Sequence, residues 1–134
     1  MHKAAPLLAI LLAPAILSCT VQAAASHRLA DNEWRFVQID ELAPDAEEAR
    51  LAFDDGGLSA SVGCNAMGGN WRVENERLIA GPLMQTEMYC PGLVWEQEQS
   101  VSALLVAGPK IRFEDDRLYL TARRHSAVLE AVTR

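Results

Sequence analysis

The stretch "SVGCNAMGGNW", Ser61 to Trp71, decides how this chain is read. A strand-like run ends at Gly63, and Cys64, Asn65 and the pair Gly68–Gly69 follow. A cysteine beside an asparagine, then two glycines, fits a catalytic or metal-binding loop. It equally fits a tight turn pinned by a disulfide. The rest of the sequence has to separate the two.

The compartment matters first, because it sets the state of the thiols. Ala4 to Leu17, "AAPLLAILLAPAIL", is an apolar run behind Lys3, broken by Pro6 and Pro14. A membrane span needs about 20 residues, so this run fits the core of a secretory signal instead. Two processing sites compete. "VQA", Val21 to Ala23, with further alanines after it, suits signal peptidase and places cleavage near residues 23–25. "ILSC", Ile16 to Cys19, resembles a bacterial lipobox and places cleavage between residues 18 and 19, with Cys19 lipidated. Leu17 is less usual within that motif. Thr20 follows the cysteine, and not the Asp that retains lipoproteins in the inner membrane. The expected organisation is a signal peptide over 1–25 and one domain over 26–134. The expected address is the cell envelope, as an outer-membrane lipoprotein facing the periplasm or as a soluble periplasmic protein.

Charge narrows the partners. The 134-residue chain carries a formal net charge of −6 and shows no basic stripe, which argues against nucleic acid. An acidic surface also disfavours adhesion to anionic head groups, so membrane contact is expected only through an anchor at Cys19. A domain of about 110 residues holds one hydrophobic core.

The cysteines can now be weighed. Of Cys19, Cys64 and Cys90, the first lies in the leader, which leaves two in an oxidising compartment. A Cys64–Cys90 bridge uses both, and by loop-closure entropy it stabilises the fold by about 3.5 kcal/mol. A zinc site needs four ligands, and the domain offers only His27 and His125, neither at ligand spacing from a cysteine. A reactive thiol needs a lowered pKa and access, which sequence does not reveal. No metal or cofactor is expected.

Patterning along the domain predicts strands. "SHRLADNE" reads as a polar leader, and Trp34 to Asp40 as a strand. The acidic segment with Pro44 reads as a loop. "RLAFDDGGLSASVG" reads as a hairpin turned by Asp-Gly, and Asp54–Asp55 as turn chemistry and not a calcium loop. Trp71–Val73 and Leu78–Ala80 flank the turn "ENE", and "LMQTEMYC" is extended. Gly92 to Gly108 is the one credible helix, with Val94, Val101, Leu104 and Leu105 on one face. Its early acids, Glu96 and Glu98, are expected to be solvated near the helix N-terminus. "KIRFEDDRLYL" and "AVLEAV" return to strands. The fold class is mainly β: a small antiparallel, barrel-like sheet with one inserted α-helix.

Taken together, "GCN" at Gly63–Asn65, the Gly-rich step to Trp71, "TEMYC" at Thr86–Cys90 and the Glu-bearing helix resemble the META/HslJ family of small bacterial envelope proteins linked to stress. The similarity runs from about Trp34 to Val132. Ala66 and Met67 stand where the family often has Arg and Phe, and Trp71 where it often has Tyr. The resemblance implies a compact antiparallel barrel and brings no catalytic mechanism. The opening stretch then reads as a structural loop. Cys64 is tethered to Cys90, and Asn65 adopts left-handed backbone or bonds its own turn. Gly68 and Gly69 allow close strand approach, Thr86 shares a face with Met88 and Cys90, and Met88 fills the core. Trp34, Trp71, Tyr89 and Trp95 are expected to be core or partly buried.

Functionally, the expectation is a non-enzymatic envelope module that binds an unidentified protein, lipid or small ligand in stress tolerance. Two alternatives stand beside it. One is an inhibitor-like protein that uses the Cys64–Cys90 loop for recognition. The other is an enzyme, although no GxSxG, HExxH or Cys-x-x-Cys is present.

Overall fold

In a computed structural model, residues 15–132 are described. They form helix α1 (Ala15–Ala30), strands β1 (Glu33–Ile39), β2 (Arg50–Phe53), β3 (Gly57–Ser61), β4 (Ala66–Glu74), β5 (Arg77–Ala80) and β6 (Met84–Gln85), helix α2 (Leu93–Val106), and strands β7 (Lys110–Glu114), β8 (Arg117–Thr121) and β9 (Ser126–Val132). All pairings are antiparallel, in the order β3-β2-β1-β9-β8-β7-β5-β4, and a β3–β4 pairing closes the ring into an eight-stranded barrel. Closure removes the exposed edges of an open sheet. The short β6 continues the line of β5 along the edge of β4 that faces away from β3, paired through Met67↔Gln85 and Gly68↔Met84.

Local chemistry fixes the turns. Gly56 takes φ 78° in the "DDGG" turn. Asn75 and Glu76 both have positive φ between β4 and β5, as do Asp40 and Glu41 after β1. Successive positive φ values match the twist of a two-residue hairpin. β1 carries a register shift between Phe36 and Gln38. Such a bulge resets the side-chain parity, so Trp34, Phe36 and Ile39 all face the interior. The seam between β5 and β7 is thin. It holds one ladder pair, Arg77↔Lys110, flanked by Leu78 N–H to Pro109 O at 2.9 Å and Ile111 N–H to Glu76 O at 2.9 Å.

The core fills the barrel with Trp34, Leu51, Leu78, Leu118, Leu120 and Leu129, among others. Helix α2 adds Val101, Leu104 and Leu105 to that core, as the helical period predicted. A second helix was not expected. The segment read as a polar leader is the end of α1, and its Leu29 is fully buried. Leu29 helps seat it there, with Trp34 Nε1–H donating to Leu29 O at 3.1 Å. Arg28 stacks over the Phe113 ring, 4.4 Å from its centroid. Helix α1 runs through both expected processing sites, and Cys19 is exposed on it. Most of the apolar leader run lies outside the described residues. Among the described residues, no helix is long and apolar enough to cross a membrane.

Candidate functional site

The opening stretch meets the rest of its motif at one end of the barrel. Cys64 and Cys90 form a disulfide with a Cα–Cα distance of 6.2 Å. Asn65 is buried and uses its whole side-chain hydrogen-bonding capacity. Its Nδ2 donates to Met88 O at 2.9 Å and to Glu98 Oε1 at 2.7 Å. Its Oδ1 accepts from Thr86 Oγ1 at 2.8 Å and from Met88 N–H at 2.7 Å. Two donors and two acceptors is all an amide offers. Thr86 Oγ1 also accepts from Ala66 N–H at 3.1 Å.

Glu98 is the hub beneath this loop. It is fully buried and accepts from Asn65 N–H at 2.7 Å, from Asn65 Nδ2, and from Gln85 Nε2 at 2.9 Å. The reading of Glu98 as a solvated first-turn acid is therefore wrong, although Glu96 is exposed. The signal was there: residue 98 stands four after Val94 and three before Val101, on the apolar stripe. Gln97, one step round the same face, accepts from Asp45 N–H at 2.8 Å and donates to Ala43 O at 2.8 Å. The start of α2 thus anchors two loops by buried polar side chains. Buried polar groups persist when their hydrogen bonds are made, and a satisfied network rigidifies its surroundings.

Three further expectations change. Asn65 has no positive φ and bonds the 86–88 segment across space, not its own turn. Met88 does not fill the core; it is 56% exposed and contributes through its backbone. Tyr89 is 80% and Trp95 36% exposed, whereas Trp34 is core and Trp71 is half-buried against Phe53 and bonded to Asp54 O. The glycines divide. At Gly69 a Cβ would stand 2.9 Å from Pro82 O, and at Gly63, with φ 124°, it would stand 2.6 Å from Ala46 Cβ. At Gly68 only ordinary contact, 3.5 Å, would arise.

Above this scaffold lies a cleft of about 500 Å³, floored by Asn65 and Gln85 and walled by Leu83, Met88, Tyr89, Trp95 and Gln99. The Tyr89 and Trp95 rings stand 6.0 Å apart at 57°. Aromatic and sulfur-bearing walls with a few polar groups are what binding clefts are built from.

A second candidate lies where the end of β1 meets the start of β9. His125 Nδ1 and Asp40 Oδ2 are 2.8 Å apart, and Asp40 Oδ1 accepts from Ser126 N–H at 2.9 Å. Burial pushes the Asp40 carboxyl up, but the bonds from His125, Ser126 and Ser100 and the His125 charge outweigh it. Its pKa therefore lies below the usual carboxylate range. The pair ties the end of β1 to the start of β9. Among the described residues, no group of three His, Cys, Asp or Glu could hold a metal ion.

The fold and this site define a small closed antiparallel barrel whose sequence motif builds a disulfide-pinned, internally bonded loop. The chain belongs to the META domain family, whose model matches residues 27–133. No curated protein matches. Solved structures share the fold, among them two described by solution NMR. One, an NMR structure of a protein, has a TM-score of 0.69 at 19% identity and covers 78% of this chain and 92% of its own. The other, an NMR structure of a protein from Burkholderia xenovorans, has a TM-score of 0.67 at 19% identity and covers 100% of both chains.

Proposed function

We propose that this protein is a non-enzymatic module of the bacterial cell envelope that serves stress tolerance by binding a partner through the face made by residues 83–99. One observation carries the reading: Met84, Met88, Tyr89, Leu93 and Trp95 are five of the eight large apolar side chains exposed on the described surface, and all fall within that stretch. Scattered exposed apolar residues need no explanation, but three of these, Met88, Tyr89 and Trp95, line one cleft, and a contiguous cluster marks a binding surface. The segment bearing them is held by the disulfide and by the Asn65–Glu98 network, so it orders little on binding. The motif residues Gly63, Cys64, Asn65, Thr86 and Cys90 then act as scaffold, and the exposed side chains between them make contact. Export to the envelope, with or without a lipid on Cys19, supplies the oxidising surroundings that the bridge requires.

The test is a photo-crosslinking amino acid at position 95, compared with one across the barrel at position 35 on β1, in living cells under envelope stress. A discrete adduct at position 95 alone, together with loss of stress protection in Tyr89→Ala/Trp95→Ala, is the expected result. Equal adducts at both positions, or full protection by the folded double variant, would sink the reading.

A further inference from the structure

Resting on that binding face, we infer that it takes an extended peptide carrying lysine or arginine, which adds as a strand to the free edge of β6. The backbone sets the edge. Thr86 N–H donates to Ala66 O at 3.1 Å and Met88 N–H to Asn65 Oδ1, so even-numbered residues direct their amides toward β4 and its loop. Antiparallel pairing alternates, so Gln85 and Glu87 direct their N–H and C=O groups away from β4. Among the described residues neither backbone has a partner. These groups border the cleft, whose other wall is Trp95 and Gln99 of α2. A strand advances about 3.3 Å per residue, so the edge from residue 85 to 89 accommodates a segment of about five residues. Main-chain bonds supply affinity in such strand addition, and side-chain pockets supply selectivity.

Charge selects the occupant. From Leu78 to Pro109 the sequence holds Glu87, Glu96 and Glu98 and not one lysine or arginine. Glu87 lines the cleft, and Glu96 is exposed beside Trp95. The pair Tyr89–Trp95 offers ring faces to a cation, with which aromatic rings interact favourably. A second copy of this chain fits poorly, because edge-to-edge pairing at β6 brings Glu87 toward its own copy.

The test uses the full oxidised domain with three synthetic peptides: Lys-Val-Lys-Phe-Lys-Val, the same peptide with alternate amides N-methylated, and Glu-Val-Glu-Phe-Glu-Val. Binding is read by fluorescence anisotropy, and amide hydrogen exchange is followed residue by residue. The basic peptide is expected to bind and to slow exchange at Gln85 and Glu87. N-methylation and charge reversal are each expected to weaken binding about tenfold or more. Equal binding of the methylated peptide overturns strand addition while leaving the binding face intact. Tighter binding of the acidic peptide overturns the charge assignment. Protection that maps away from residues 83–99, or dimerisation in place of binding, overturns both this inference and the binding face on which it rests. No binding of any peptide overturns the inference alone, because the crosslinking at position 95 then tests the face independently.

Discussion

Asn65 carries four side-chain hydrogen bonds and Met88 carries two through its backbone, yet only Asn65 is buried. Replacing each by alanine therefore has opposite consequences. Asn65→Ala strands Met88 N–H and removes a donor from Glu98. It is expected to cost about 3 kcal/mol, a Tm drop on the order of 15 °C. Met88→Ala keeps the backbone bonds and is expected to change stability by less than about 0.5 kcal/mol. Thermal unfolding of the two oxidised variants checks this; comparable losses would return Met88 to the core. Glu98 teaches a related lesson. Its position on the apolar stripe is legible, but acids near a helix N-terminus are commonly solvated. What the stripe lacked was its partner, Asn65, thirty-three residues away.

At the level of elements, α1 and the turn after β1 make separable contributions. Among the described residues, Leu29 is the one fully buried side chain that α1 gives to the core. Leu29→Ala is expected to destabilise by about 2–4 kcal/mol in denaturant unfolding. The exposed Val21→Ala change should be near neutral, and a loss at Val21 equal to that at Leu29 would show that the whole helix is integral to the core. The Asp40–His125 pair bonds β1 to β9. Because the folded Asp40 pKa is lowered, its contribution is complete above about pH 4, the unfolded value, and is lost as pH falls through the lower folded value. The pair is partly exposed, so its worth is at most about 1 kcal/mol. The stability gap between wild type and Asp40→Asn should therefore narrow between pH 5 and pH 2, as followed by denaturant midpoints. A gap that widens toward acid contradicts the lowered pKa.

For the whole molecule, the disulfide is the strongest single constraint outside the core. It closes a loop between residues 26 positions apart, and reduction is expected to lower stability by about 3.5 kcal/mol. Intact mass of protein from cell envelopes gives the matching chemical result. Two alkyl groups should be gained only after reduction, and the same spectrum shows whether the chain begins at a lipidated Cys19 or near Ala23. Alkylation of both thiols without reduction would undo the scaffold reading of the loop.

By itself, the sequence determined the strands, because alternation and turn chemistry are local: "DDGG", "ENE" and "EDD" each place positive φ within a few residues of the strands they join. It also determined α2 and the pairing of the two domain cysteines, which composition and compartment leave with one simple outcome. The burial of Leu29 and of Glu98, and the exposure of Met88, Tyr89 and Trp95, were decided only by the tertiary structure. Each depends on what stands opposite in space. A polar side chain is tolerated inside when its partners converge on it from distant segments, and an aromatic remains outside when no element is left to cover it.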